Sequence, residues 1–127
     1  TSSTDQASSD DSGSSPEGVG KFKHIDLAAT LDKKLADGGK TIYDMKCSGC
    51  HKLTAEKLVG PGWKNVTERR KPEWIMNFVT NTEEMLNKDT SAQAMLEICM
   101  VKMPNQNLSD EDARKVLEFM RENDGVK

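Results

Sequence analysis

Apolar positions along the chain gather into short helical stripes separated by Gly, Pro and polar runs. Leu27, Leu31 and Leu35 recur every four residues with Asp32, Lys33 and Lys34 between them. That spacing predicts a short amphipathic helix or turn-rich segment laid on a core, ended by Gly38-Gly39. A helix over 40–46 follows, with Ile42 and Met45 on one side. Pro72 and Glu73 then open a helix over 71–79, where Trp74 with Phe78 and Ile75 with Val79 form two i, i+4 pairs. From about 90 to 101, Ala92, Met95, Leu96 and Cys99 share a stripe, which predicts a buried Cys99 thiol. Ser109 caps a closing helix with acids in its first turn, an apolar stripe of Ala113, Val116, Leu117 and Met120, and a stop at Gly125.

The first twenty residues depart from this pattern. Seven serines, two threonines and four acids leave only Ala7 and Val19 as apolar side chains, too few to offset the entropy of ordering the segment. Residues 1–20 are therefore expected to be a flexible tail or tether, and 21–127 a single domain whose residues 21–38 form an extension packed on the core. That domain holds only six aromatic side chains, a thin supply for a core.

Between two of the predicted helices lies Cys47-Ser48-Gly49-Cys50-His51. Two thiols three positions apart, followed at once by an imidazole, form the signature of covalent c-type haem attachment. Cys47 and Cys50 would each form a thioether, and His51 would give the iron a ring nitrogen. The macrocycle would also fill the aromatic deficit. Two other readings are weaker. A zinc knuckle needs further ligands, and only Cys99 and His24 remain. A thioredoxin-like dithiol needs flanking strands, and neither β-branched runs nor hairpin turns are present.

A sixth ligand is sought among seven methionines. A thioether is a soft neutral donor, and Met103 sits in an irregular stretch stiffened by Pro104, whereas the other candidates fall on helix stripes. Met100 is the runner-up. His24, in a polar approach, is a weaker alternative that would give two imidazole ligands.

Gly39-Lys40-Thr41-Ile42-Tyr43 with the attachment motif resembles the N-terminal helix of class I cytochromes c, in which a glycine and an aromatic four residues later mark the crossing of first and last helices. The resemblance covers about residues 39–123. It implies an all-α, class I cytochrome c fold, with helices packed around one covalently attached haem c and its iron. It implies further that the carbonyl of Pro61, in Gly60-Pro61-Gly62-Trp63, accepts the second ring N–H of His51, that Trp63 lines the haem pocket, either electronically active or simply packing there, and that Met103 is the axial ligand. Arg69-Arg70-Lys71-Pro72-Glu73-Trp74 and Asn105-Gln106-Asn107-Leu108 are similar to a bacterial monohaem subfamily with a long N-terminal extension. Members of that subfamily are lipid-anchored or periplasmic shuttles between a membrane quinol–cytochrome c oxidoreductase and a terminal oxidase or reductase. The same partners and place are expected for this chain.

Charge sharpens that expectation. The net charge of −3 conceals +5 over residues 40–71 and −5 over 72–127. Lys40, Lys46, Lys52, Lys57, Lys64, Arg69, Arg70 and Lys71 could steer an acidic redox partner, or form an ordinary solvated surface. Nucleic acid is not an expected partner, because no stacking aromatics interleave with the basic residues. No run of about 18 apolar residues is present to span a bilayer. The chain opens on Thr1 rather than methionine, which fits either a processed form with an export signal upstream or a trimmed one, and its Ser/Asp-rich leader resembles the linker after the lipidated cysteine of bacterial lipoproteins. A monomeric one-electron carrier without enzymatic activity is the leading expectation. The alternatives are a gas-binding or peroxidatic haem protein with an open sixth position, and a haem domain excised from a larger membrane oxidase.

Overall fold

The structure, a computed structural model, describes residues 15–127; residues 1–14, most of the expected tail, lie outside the described residues. Among the described residues six α-helices follow in order: α1 (Lys33–Ile42), α2 (Val66–Arg69), α3 (Pro72–Thr80), α4 (Thr82–Lys88), α5 (Thr90–Cys99) and α6 (Asp110–Asn123). Among the described residues there is no strand, only an isolated bridge between His51 and Lys57. No helix of the described residues is long and apolar enough to cross a membrane.

The Asp32 carboxylate caps α1 by accepting from the Leu35 N–H at 3.2 Å. The helix then runs through Gly38-Gly39, which correspond to no break, contrary to the sequence expectation. The reason is tertiary. A Cβ on Gly39 would overlap the Lys115 carbonyl oxygen of α6 and lie 2.8 Å from Phe119 Cβ, so α1 and α6 cross with their backbones in contact. Two glycines inside a helix each cost about 1 kcal/mol relative to alanine, and the close crossing offsets that loss. One turn later Tyr43 meets Phe119, ring centroids 5.4 Å apart. At the far end of the chain the Ser109 hydroxyl accepts from the Asp112 N–H at 3.0 Å, and Gly125 adopts φ +101° just past α6, both as the capping pattern predicts.

Two helices have no counterpart in the sequence reading. α2 is a single turn, and α4 carries only Met85 and Leu86 as buried apolar side chains, a signal too brief for periodicity to register.

Residues 15–32 contain no helix and lie as a strap along α3, α4 and α6. Fully buried Asn77 on α3 donates to the carbonyls of Glu17 at 2.8 Å and Phe22 at 3.0 Å, and accepts from the Phe22 N–H at 3.0 Å. The Val19 N–H reaches Met85 Sδ at 3.0 Å, and the Ile25 N–H donates to Glu73 at 2.7 Å. Buried Glu118 accepts from the Asp32 N–H at 2.8 Å, Arg114 at 2.7 Å and Arg121 at 3.0 Å, while Arg121 also donates to the Ala28 carbonyl. Packing thus begins by Glu17 rather than at Lys21, a correction to the boundary drawn from composition. Composition registers side-chain hydrophobicity, whereas this strap adds to Val19, Phe22 and Ile25, packed on the core, backbone hydrogen bonds to buried polar side chains and close approaches at Gly18 and Gly20.

Candidate functional site

Cys47, Cys50, His51, Pro61, Trp63 and Met103 all line one cleft of about 180 Å³. On one side, α1 continues into a π-helical turn, Tyr43–Cys47, closed by the Ser48 N–H on the Tyr43 carbonyl at 2.9 Å. The N–H groups of Cys50 and His51 then converge on the Cys47 carbonyl at 3.1 and 3.0 Å. This tight turn brings both thiols and the imidazole to one wall. Cys47 is buried and Cys50 exposed. Burial pushes the Cys47 thiol up to about 11, so it is protonated at neutral pH.

The loop that follows folds back to orient His51. The Gly60 N–H donates to the Cys50 carbonyl and the Trp63 N–H to the Lys52 carbonyl, both at 2.8 Å. Between them His51 Nδ1 donates to the Pro61 carbonyl at 2.9 Å. With that proton committed, Nε2 is left as a lone-pair donor. Burial lowers the pKa of His51 and the Pro61 bond opposes the shift only in part, so the ring is neutral at physiological pH. Gly60 is required by proximity. A Cβ there would overlap Cε1 of the imidazole and lie 2.9 Å from Nδ1. Tyr43 donates its hydroxyl proton to the His51 carbonyl at 2.6 Å, and Trp63 packs 5.4 Å from the imidazole and 5.0 Å from Tyr43.

Met103 reaches the same cleft from the irregular loop after α5 and is half-buried. The runner-up, Met100, caps α5 with φ +64° and is 84% exposed, off the cleft wall. Met95 and Met120 also line the cleft, from within α5 and α6. His24 is not brought to the site. It is exposed and sits 2.6 Å from Asp26. Cys99 is half-buried on the cleft wall, not enclosed as expected, because the α5 stripe faces the cleft and only Ala92 on it is fully buried.

The cleft suits a covalently held porphyrin. Its walls include Trp74, Ile75, Val79 and Leu86, apolar surfaces suited to a flat macrocycle. Two thiols, one imidazole lone pair and a thioether are available to hold it and its iron. Among the described residues, no three His, Cys, Asp or Glu side chains converge as a protein-only metal site would require, which disfavours the zinc reading.

Six of the eight basic side chains also make contacts within the molecule, while the paired lysines stay solvent-exposed. Lys40 pairs with Asp44 at 3.1 Å, Lys52 with Glu56 at 3.4 Å and Lys71 with Glu17 at 3.4 Å. Lys46 donates to the Gln106 carbonyl at 2.9 Å. Arg69 donates to the carbonyls of Gly62 at 3.2 Å and Lys64 at 3.1 Å, and Arg70 lies 4.6 Å over the Trp74 ring. Arg69 therefore clamps the loop that orients His51, a role its place in a charge run did not signal. Asp124 does similar work from the end of α6, accepting from the N–H groups of Asn65 at 2.6 Å and Thr67 at 3.0 Å just beyond Trp63.

The cytochrome c family profile matches residues 36–124. In structure the chain is similar to cytochrome c from Rhodothermus marinus, with TM-score 0.81 and 30% identity over 86% of this chain and 93% of that one. An engineered cytochrome c from the same organism gives TM-score 0.82 and 30% identity over 87% and 98%. A cytochrome c domain from Pseudomonas putida gives 0.58 and 26% over 66% and 85%. No curated protein matches the chain. With the attachment motif on one wall of an apolar cleft inside this helical fold, the chain belongs to the cytochrome c family, as a class I monohaem member that binds one covalent haem c and serves haem-based electron transfer.

Proposed function

We propose that the chain is a one-electron carrier with a six-coordinate iron, His51 and Met103 being the axial ligands. The observation that carries this reading is the placement of His51, its Nδ1 proton already given to Pro61, and Met103 on the walls of one cleft. Bound there, haem c supplies a one-electron iron couple. The chain's own residues do the rest. Pro61 fixes the imidazole plane and keeps the ring electron-rich, Gly60 leaves room for it, and Trp63 excludes water from its side. A thioether from Met103 raises the potential above that of two imidazoles and leaves no open position for a substrate.

Met103→Ala is the direct test. It should abolish the near-infrared sulfur-to-iron band and open the sixth position to added imidazole, and retention of that band would refute the assignment.

The resemblance to extended bacterial monohaem cytochromes supports a shuttle between a membrane quinol-oxidising complex and a terminal oxidase or reductase. It would work in the periplasm or at the outer face of the cytoplasmic membrane, with a possible lipid anchor upstream of Thr1. A quinol-oxidising complex from a membrane preparation that fails to reduce the holoprotein at catalytic rates would argue against that placement.

A further inference from the structure

Asp89 is fully buried where α4 ends and α5 begins, and most of its hydrogen-bonding capacity is used. Its N–H donates to the Met85 carbonyl and its carbonyl accepts from the Gln93 N–H, both at 2.9 Å. Oδ2 accepts from the Ala92 N–H at 2.9 Å and from Trp74 Nε1 at 3.0 Å. Among the described residues nothing bonds to Oδ1.

Capping alone does not account for an aspartate here. Serine, threonine or asparagine would also close the start of α5, and each is neutral. A buried carboxylate with one unpartnered oxygen carries a desolvation cost that a neutral cap avoids. The two N–H donors on Oδ2 and the positive end of α5 favour the anion. Neighbouring cations do little to cancel it. Lys88, next in sequence, is exposed and paired with Glu84 at 3.0 Å. Arg70 lies 4.6 Å over the Trp74 ring, but it is only half-buried, so solvent weakens its field more than that of Asp89. Glu73, the acid on α3, is buried and accepts from the Ile25 N–H at 2.7 Å.

The two groups that Oδ2 holds both belong to the site. Trp74 on α3 and Ala92 on α5 line the cleft, and Asp89 ties these walls together from behind. Resting on the electron-carrier reading, we propose that the buried Asp89 carboxylate lowers the reduction potential of the haem iron from behind the wall formed by Trp74 and Ala92. The oxidised haem carries one more positive charge than the reduced haem, so a nearby anion stabilises the oxidised state. Such a field is strong where water does not screen it, and Asp89 is 0% exposed. It opposes the Met103 thioether, which raises the potential. The balance of the two sets the level at which the protein accepts and releases its electron.

Spectroelectrochemical titration of the holoprotein and its variants tests this. Asp89→Asn removes the charge and keeps an oxygen for the N–H groups of Trp74 and Ala92, whereas Asp89→Ser keeps only the cap. Both should favour the reduced state about tenfold in the equilibrium constant, the size expected of one unit charge in a protein's effective dielectric. For one electron that is a rise of about 59 mV. Glu97→Gln removes an exposed carboxylate from the same helix and should shift the equilibrium by less than about twofold. The rise in Asp89→Asn should persist from low to high salt, because a buried charge is poorly screened. A purely structural Asp89 predicts the opposite sign, since a loosened wall admits water, and water favours the more highly charged oxidised haem. An unchanged or lowered potential in Asp89→Asn, or a rise that vanishes at high salt, would overturn the proposal. A native protein that does not titrate as a reversible one-electron couple would instead strike the electron-carrier reading.

Discussion

Gly60 and the His51 imidazole stand so close that residue 60 has no room for a side chain. The contact belongs to a larger arrangement in which the ring donates to Pro61 from beneath a loop clamped at Cys50, Lys52 and Arg69. The second-layer geometry of the proximal ligand is thus set by backbone, and a methyl group is enough to disturb it.

Gly60→Ala should tilt the imidazole and lengthen its bond to the Pro61 carbonyl. Overpacking of this kind costs about 1–3 kcal/mol. A weaker bond to Pro61 makes the ring a poorer donor, so the midpoint potential should rise. Urea unfolding and potentiometry check the two halves separately.

Asn77→Ala should release the strap. The substitution leaves part-buried backbone groups of Glu17 and Phe22 without their partner, against a cost of about 1–3 kcal/mol for a fully buried orphan. Limited proteolysis should then cut within residues 17–25 much faster than in the native protein, while the haem spectrum changes little.

Glu118 gives the fold an acid-sensitive joint. Burial alone would raise its pKa, but bonds from the Asp32 N–H, Arg114 and Arg121 outweigh that, and its carboxyl is held below the ordinary glutamate range. A folded-state pKa that is depressed means stability present above the unfolded value, about 4.3, and lost as pH falls through the folded one. Urea midpoints should decline over that acid range. Glu118→Gln should lower stability at neutral pH and flatten this part of the decline.

Lys46 ties the loop bearing Met103 to the turn bearing Cys47. Among the described residues, its bond to the Gln106 carbonyl is the one hydrogen bond linking residues 101–108 to the rest of the fold. Lys46→Ala should make the sixth position roughly three- to tenfold easier to invade with imidazole, the range expected from one net hydrogen bond. Lys46→Arg should restore the native value.

Local chemistry was legible in the sequence where one short segment carries it. The spacing of Cys47, Cys50 and His51, the Gly-Pro turn at 60–61, the Ser109 cap and Pro72 in a first turn are readable from a few adjacent residues. Cys47, Cys50, His51, Gly60, Pro61 and Met103 do meet on one cleft. What was hidden depends on partners far along the chain. Gly38-Gly39 look like a terminus until Lys115 is seen against them, and the strap resembles a tail because Asn77 and Glu118 bind its backbone. Lys40, Lys52 and Lys71 look free until Asp44, Glu56 and Glu17 are found beside them. Pattern reports the faces of elements, and the assembled fold decides which faces and termini are real.

The central claim, an iron closed on both sides, is tested most directly by optical spectra of the oxidised and reduced holoprotein before and after adding carbon monoxide. Ligation by His51 and Met103 should give low-spin spectra in both states, a sulfur-to-iron band in the oxidised one, and a reduced spectrum that carbon monoxide leaves unchanged at neutral pH. A high-spin spectrum, or rapid conversion of the reduced protein to a carbon monoxide complex, would contradict it.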